Sequence, residues 1–367
     1  MSVFSLMHGT HGTHGTHGTH GTHGTHGTHG THGTHGTGGY GDLPSGALAG
    51  LQSSAQALLH VAGLDPLPAA GIEPLTPGSA ANMKRWSPDI RALILQASVS
   101  RHVGHVWDDA VSFVSLTWNG TPVATLQPPV AATLARQCDW VRYYADQRGD
   151  RGNEILSQMS SFSAYFAVLL GLTEGRNPKT FELLDAVQTI AGQITMLPKH
   201  LLACRRPAEL DARITPFIAT PGHGAFPSAH ATQAIAMARV LEALVRSIPA
   251  HYGDLEKRVE LCYRQAHRIA VNRTVAGVHY PMDSAAGSRL GLQMGHILVA
   301  AMTGGGTVRA IAAYDPDAAP DADFLYADAA ALRVPGAGPD VAVAADPLLG
   351  WLWAEAKAEF ALHTPSV

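Results

Sequence analysis

Six residues separate Lys199 from Arg206-Pro207. Pro227-Ser228-Ala229-His230 follows, and then Arg273, five residues, His279, three residues and Asp283. These residue types suit one task, the handling of a small oxyanion. Lys199, Arg206 and Arg273 supply positive charge, and arginine's planar fork fits tetrahedral oxygens well. Pro227-Ser228 reads as a helix start with Ser228 as cap, so Ser228 and the Ala229 N–H fall at a helix N-terminus, where free N–H groups and the helix dipole attract anions. His230 falls in the first turn. Neighbouring cations would push its pKa down and keep the imidazole available as acid and base near neutral pH. Asp283, four residues after His279, is placed to orient that imidazole and fix which nitrogen is free.

The elements that must position these groups read as helices. Apolar residues recur at helical spacing from about residue 40, predicting helices over 44–61, 88–112, 129–147, 154–172, 178–203, 228–248, 254–271 and 281–302. Asn177-Pro178 is a cap followed by proline in the first turn. Lys199 and Arg206 are about two turns apart, so a helix running on to Pro207 would carry both on one face. Gly277 predicts a bend before the helix beginning at 281. A hairpin around Asn119-Gly120 within 113–128 is the one clear strand signal. The expected fold is therefore an all-α helical bundle with little or no β-structure.

The spacing pattern resembles that of the superfamily uniting vanadium-dependent haloperoxidases, type 2 phosphatidic acid phosphatases and bacterial acid phosphatases. That family's motifs run K-x6-R-P, P-S-G-H and S-R-x5-H-x3-D. Two positions depart from them: Ala229 replaces the glycine and Asn272 the serine. Ala229 still has an N–H to offer, provided its backbone does not need a positive φ. The resemblance implies that His279 binds vanadium or acts as the phosphatase nucleophile. It further implies that Lys199, Arg206, Ser228, Ala229 and Arg273 hold the anion's oxygens, and that His230 is the acid and base. His223, seven residues before His230, matches the offset of a second active-site histidine in algal bromoperoxidases, where fungal chloroperoxidases have an aromatic residue. The segment Arg273 to Tyr280 also resembles the bromoperoxidase version.

The leading expectation is thus a vanadate-dependent haloperoxidase that oxidises bromide with hydrogen peroxide and halogenates a small organic acceptor. Phosphate could occupy the same site. The alternatives are an acid phosphatase working through phosphorylated His279, and a non-catalytic oxyanion- or metal-binding protein.

Composition narrows the remaining classes. The chain has 367 residues, 46% hydrophobic and 15% charged, with a net charge of −4. No broad basic surface for nucleic acid follows from that balance. Cys138, Cys204 and Cys262 are widely spaced and show neither zinc spacing nor a disulfide framework. The N-terminus does not read as a signal peptide. Ile155 to Thr173, the longest apolar stretch, is interrupted by Ser157, Gln158, Ser160, Ser161 and Ser163, so no membrane span is expected. A cytoplasmic location is the resulting expectation.

Residues 8–37 repeat His-Gly-Thr. Such a tract can bury no core, so residues 1–39 are read as a disordered tail, with weak transition-metal binding as its one chemical option. Residues 40–302 form the expected catalytic domain. Residues 303–367 read as an acidic irregular segment ending in a helix whose Trp351, Trp353 and Phe360 dock on the domain or on a neighbouring copy.

Overall fold

The computed structural model describes residues 45–62, 75–108, 112–331, 333, 336 and 338–361. The His-Gly-Thr repeat and the rest of the 1–39 tail lie outside them. The chain divides into two compact units. Among the described residues, one runs up to Arg91 and the other from Ala92 on. The first unit contains helix α1 (Ser45–Ala62), a 3-10 turn (Ala80–Arg85) capped by Ser79, and the start of α2 (Pro88–Ser100). The second contains the remaining elements and the whole constellation described above.

The second unit is predominantly helical. Its order is β1 (Val103–Asp108), β2 (Phe113–Trp118), β3 (Thr121–Leu126), α3 (Ala131–Tyr144), α4 (Arg148–Ser157), α5 (Ser163–Leu170), α6 (Pro178–Ile194), α7 (Met196–Leu202), α8 (Pro207–Leu210), α9 (Ala229–Arg246), α10 (Leu255–Val275), α11 (Pro281–Met302), β4 (Gly306–Arg309), α12 (Tyr326–Ala331), β5 (Asp340–Val343) and α13 (Pro347–Ala361). β2 and β3 form the hairpin expected at Asn119-Gly120, whose φ angles of 49° and 82° suit a two-residue turn between twisted strands. β1 adds to it antiparallel, Val103 opposite Trp118 and Asp108 opposite Phe113. This corrects the helix expected over 88–112, which stops at Ser100. Val103, Val106 and Trp107 favour a strand once β2 offers them a ladder. A second correction concerns 303–345. β4 and β5 pair antiparallel there, burying Val308, Val341 and Val343.

α9 lies at the centre, packed against α6, α10 and α11. Its buried face is rich in alanine, and α11 meets it with Gly287, Gly291 and Gly295. A Cβ on Gly287 would sit 3.0 Å from Ala231 Cβ and closer still to the Ser228 carbonyl oxygen. The small residues therefore set the approach of the two backbones. At their N-termini the helices are joined directly, Ser228 N–H donating to Asp283 O at 2.9 Å. α13 docks on α6 through Glu359, which accepts the Lys179 N–H, the Thr180 N–H (2.9 Å) and the Thr180 hydroxyl (2.8 Å). A carboxylate from the end of the chain thus satisfies the free N–H groups that open α6.

Two expected helices are interrupted where the site needs them to be. The 154–172 helix breaks after Ser157, whose hydroxyl bonds back to Asn153 O at 2.8 Å, and Gln188 draws off the Ser160 carbonyl at 3.0 Å. The 178–203 helix breaks at Thr195 and ends at Leu202, with Ala203 left-handed at φ 46°. Arg206 is therefore not on the helix that carries Lys199. It is extended, and Pro207 opens the short helix α8 rather than closing the one before it.

Candidate active site

The structure gathers the residues singled out by spacing at the N-terminal ends of α9 and α11. Lys199, Arg206 and Arg273 are 1%, 2% and 1% exposed, His279 is 4% exposed and Asp283 is fully buried. His230 is half-buried, and His223 lies at the surface. Three cations thus share a nearly dry floor with one buried carboxylate.

Each cation is held by neutral groups and keeps donors in reserve. Lys199 Nζ donates to Gly224 O (3.0 Å) and Ala225 O (2.9 Å), using two of its three N–H bonds. Arg206 donates Nε to His223 O (3.0 Å) and Nη1 to Val278 O (2.6 Å) and His279 Nε2 (3.0 Å), and its Nη2 lies 3.1 Å from His223 Nδ1. Arg273 Nη2 donates to Ile155 O (3.1 Å) and Gln158 Oε1 (3.3 Å), while its Nε and Nη1 are buried without a partner among the described residues. Burial pulls Arg273 down to about 10. It also drives Lys199 well below the usual lysine range, with Arg206 adding to the effect.

The tautomer of His279 follows from its neighbours. Arginine only donates, so the contact from Arg206 makes Nε2 the acceptor. Nδ1 then carries the proton and donates to Asp283 Oδ2 at 2.8 Å. The same oxygen accepts the Tyr280 N–H at 3.0 Å. Burial pushes the Asp283 carboxyl up to about 7 against the pull of Lys199, the Tyr280 N–H and Arg206. Oδ2 is an acceptor in either protonation state, since any added proton must sit on the unpartnered Oδ1. His279 thus presents an oriented Nε2 lone pair among cations, and burial followed by Arg206 and Lys199 holds its pKa well below the ordinary value.

His230 donates Nε2–H to Gln158 O at 2.9 Å, leaving Nδ1 as its basic nitrogen. Burial first, then Arg273, lowers it to about 3. His223 is lowered to about 4 by burial and Lys199. Its Nδ1 lies 3.1 Å from both Arg206 Nη2 and Gly224 O. One can only donate and the other only accept, so the ring proton decides between them. Ser228 caps α9, its Oγ accepting the Ala231 N–H at 3.4 Å, which leaves the hydroxyl hydrogen free. Ala229 is the first helical residue and has no positive φ. The methyl group that replaces the family glycine's hydrogen therefore costs no backbone strain, and the Ala229 N–H remains a first-turn donor.

Sequence reasoning missed the layer behind Arg273. Asn272 donates to Glu154 (3.1 Å) and Gln158 (3.0 Å) and accepts from Arg151 (3.1 Å), and Arg268 pairs with Glu154. Gln158 had registered only as a polar break in an apolar stretch. Arg151, Glu154 and Gln158 lie far from Asn272 and Arg273 in the chain, so no local spacing could have linked them to the motif position Asn272.

The low histidine pKa values make stability depend on pH. Between about 4 and the ordinary value near 6.5, the unfolded chain takes protons that folded His223 and His230 refuse. Asp283, raised to about 7, opposes them by taking one proton in the fold over the same window, but His279, also held low, adds to them, so the unfolded state binds more protons and anion-free stability should fall as pH drops through that window. Urea melts across the range should show this. Saturating phosphate should flatten the slope by raising the His223 and His230 pKa values, whereas an unchanged slope would remove the anion from their surroundings.

Among the described residues no helix is long and apolar enough to cross a membrane. No curated protein matches the chain. One family model does, and its stretch runs from the second turn of α6 to just past α11, taking in every motif residue from Lys199 to Asp283. That match assigns a PAP2 superfamily domain to residues 182–304.

Proposed function

We propose that this protein is a vanadate-dependent haloperoxidase that oxidises bromide with hydrogen peroxide and passes the oxidised halogen to a small organic acceptor. The observation that carries the reading is the charge inventory of the floor. Among the described residues, Lys199, Arg206 and Arg273 are buried with Asp283 as the one fully buried carboxylate acting on them, the exposed Glu209 reaching Arg206 through its main-chain N–H, and two Arg273 nitrogens have no partner. Burying an uncompensated charge costs several kcal/mol, so the site is built for an added anion. Vanadate fits this donor set. His279 Nε2 would bind the metal, with Lys199, Arg206, Arg273, Ser228 and the Ala229 N–H on its oxygens. Bound vanadate supplies a Lewis-acidic centre that activates peroxide toward halide.

The chain's own groups have separable tasks. Arg206 releases Nε2 of His279 and turns that donor to the anion. Asp283 keeps the proton of His279 on Nδ1. His230, neutral at physiological pH, takes and returns a proton at Nδ1. His223 sits on the solvent side against Arg206, where it can adjust the proton inventory without holding the metal. That position favours the haloperoxidase reading, because phosphoester hydrolysis through His279 gives His223 no necessary step.

Purified protein incubated with orthovanadate, then assayed for bromide oxidation and phosphoester hydrolysis side by side, tests this directly. His223→Phe should keep vanadate affinity while bromide turnover falls or its pH profile moves, by about tenfold or more if His223 exchanges a proton. Robust hydrolysis that vanadate merely inhibits, with no bromide oxidation in any loaded sample, would make the protein a phosphatase working through phosphorylated His279.

A further inference from the structure

The donors and acceptors around Gln158 can be assigned from groups that have only one role. Arg151 Nη1 can only donate, so Asn272 turns Oδ1 toward it, at 3.1 Å. Asn272 Nδ2 must then face the other way, toward Glu154 Oε2 and Gln158 Oε1. Arg273 Nη2 donates to the same Gln158 oxygen. The amide of Gln158 therefore has one orientation, its oxygen toward Asn272 and Arg273 and its nitrogen away from them. That nitrogen is buried and meets no acceptor among the described residues, and the same is true of Arg273 Nε and Nη1. The main-chain carbonyl of the same residue holds His230 Nε2–H. Gln158 is fully buried, so its spare N–H bonds cannot be turned out to bulk water.

We infer that Gln158 belongs to the oxyanion site: its amide oxygen steers Arg273, its main-chain oxygen orients His230, and its amide N–H groups donate to the bound anion. The inference rests on the oxyanion reading of the site and is independent of which reaction follows. Neutrality is the chemical reason for glutamine here. A carboxylate in this place would pair with Arg273 and compete with the anion for its charge. Glutamine offers the same acceptor, adds donors and leaves the charge of Arg273 available. Glu154, the nearest carboxylate of this layer, is kept off Arg273 by its bonds to Arg268 and Asn272.

Gln158→Glu and Gln158→Leu separate this role from simple core filling. Calorimetric titration of the full chain with inorganic phosphate and, separately, with orthovanadate should give affinities that fall from wild type to Gln158→Leu to Gln158→Glu. The Gln158→Leu protein should bind a few-fold more weakly. The Gln158→Glu protein should bind roughly tenfold more weakly or worse, because the new carboxylate takes Arg273 from the anion. A packing role predicts the reverse order of the two variants, since glutamate keeps the shape and the acceptor that leucine lacks. Gln158→Glu binding as tightly as wild type, or more tightly than Gln158→Leu, would overturn the inference and leave the site reading standing. Should Gln158→Glu fail to fold, unchanged affinity in Gln158→Leu overturns it equally. Wild-type protein that binds neither anion would overturn the site reading and this inference together.

Discussion

Replacing His279 with Ala should reduce turnover by about 10³-fold or more while leaving the affinity for inorganic phosphate within about tenfold of wild type. The two effects part because different groups supply them. Turnover needs the Nε2 lone pair that Arg206 and Asp283 fix in place, the one nitrogen oriented among the cations. Binding rests mainly on Lys199, Arg206 and Arg273, and these remain. The variant also frees the Arg206 Nη1 N–H that met His279, which can turn to the anion while the bond to Val278 O stays. Steady-state kinetics together with calorimetry read both quantities. Added imidazole should restore part of the lost rate by entering the space left by the ring. Near-full turnover without imidazole would move the reacting nitrogen to another histidine and overturn the assignment.

The parts of this site legible in the sequence are those fixed by local rules. Ser228 announced α9 because a capping hydroxyl followed a proline, and the four-residue step from His279 to Asp283 spans one turn at the start of α11. Gly277 announced a bend and has φ 80°, with Arg148 Nη2 and the Pro216 backbone filling the space a side chain would need. The helix expected through 178–203 failed for a physical reason. Its apolar period continues across Thr195 and Pro198, but Ala203 adopts a left-handed conformation that no local preference requires. Residues around it impose that turn, the Ala203 N–H reaching Lys199 O at 3.1 Å and the Cys204 carbonyl accepting the Ala225 N–H at 2.8 Å. The turn is what lets Arg206 point back to His279. β1 was invisible for a similar reason, since a strand of mixed exposure is defined by its neighbour β2 more than by its own pattern.

The buried charge inventory leads to a last expectation, that Asp283→Ala will make the protein both inactive and dependent on anions for its stability. Asp283 Oδ2 holds the His279 Nδ1–H and the Tyr280 N–H that opens α11. Without it the imidazole can turn, the tautomer is no longer fixed, and turnover should fall by about 10²–10⁴-fold. The larger consequence is electrostatic. Lys199, Arg206 and Arg273 lose their one buried counter-charge, and removing one partner from a buried charged cluster costs about 3–5 kcal/mol. An anion entering the site would supply the missing charge. Phosphate should therefore raise the melting temperature of the variant by more than it raises that of wild type, although the variant has lost its activity. Thermal melts over a phosphate series, with a potassium chloride series at matched ionic strength, separate specific occupancy from screening. Equal phosphate shifts in the two proteins would mean that Asp283 is not the counter-charge of this floor, and that the three cations are balanced from elsewhere.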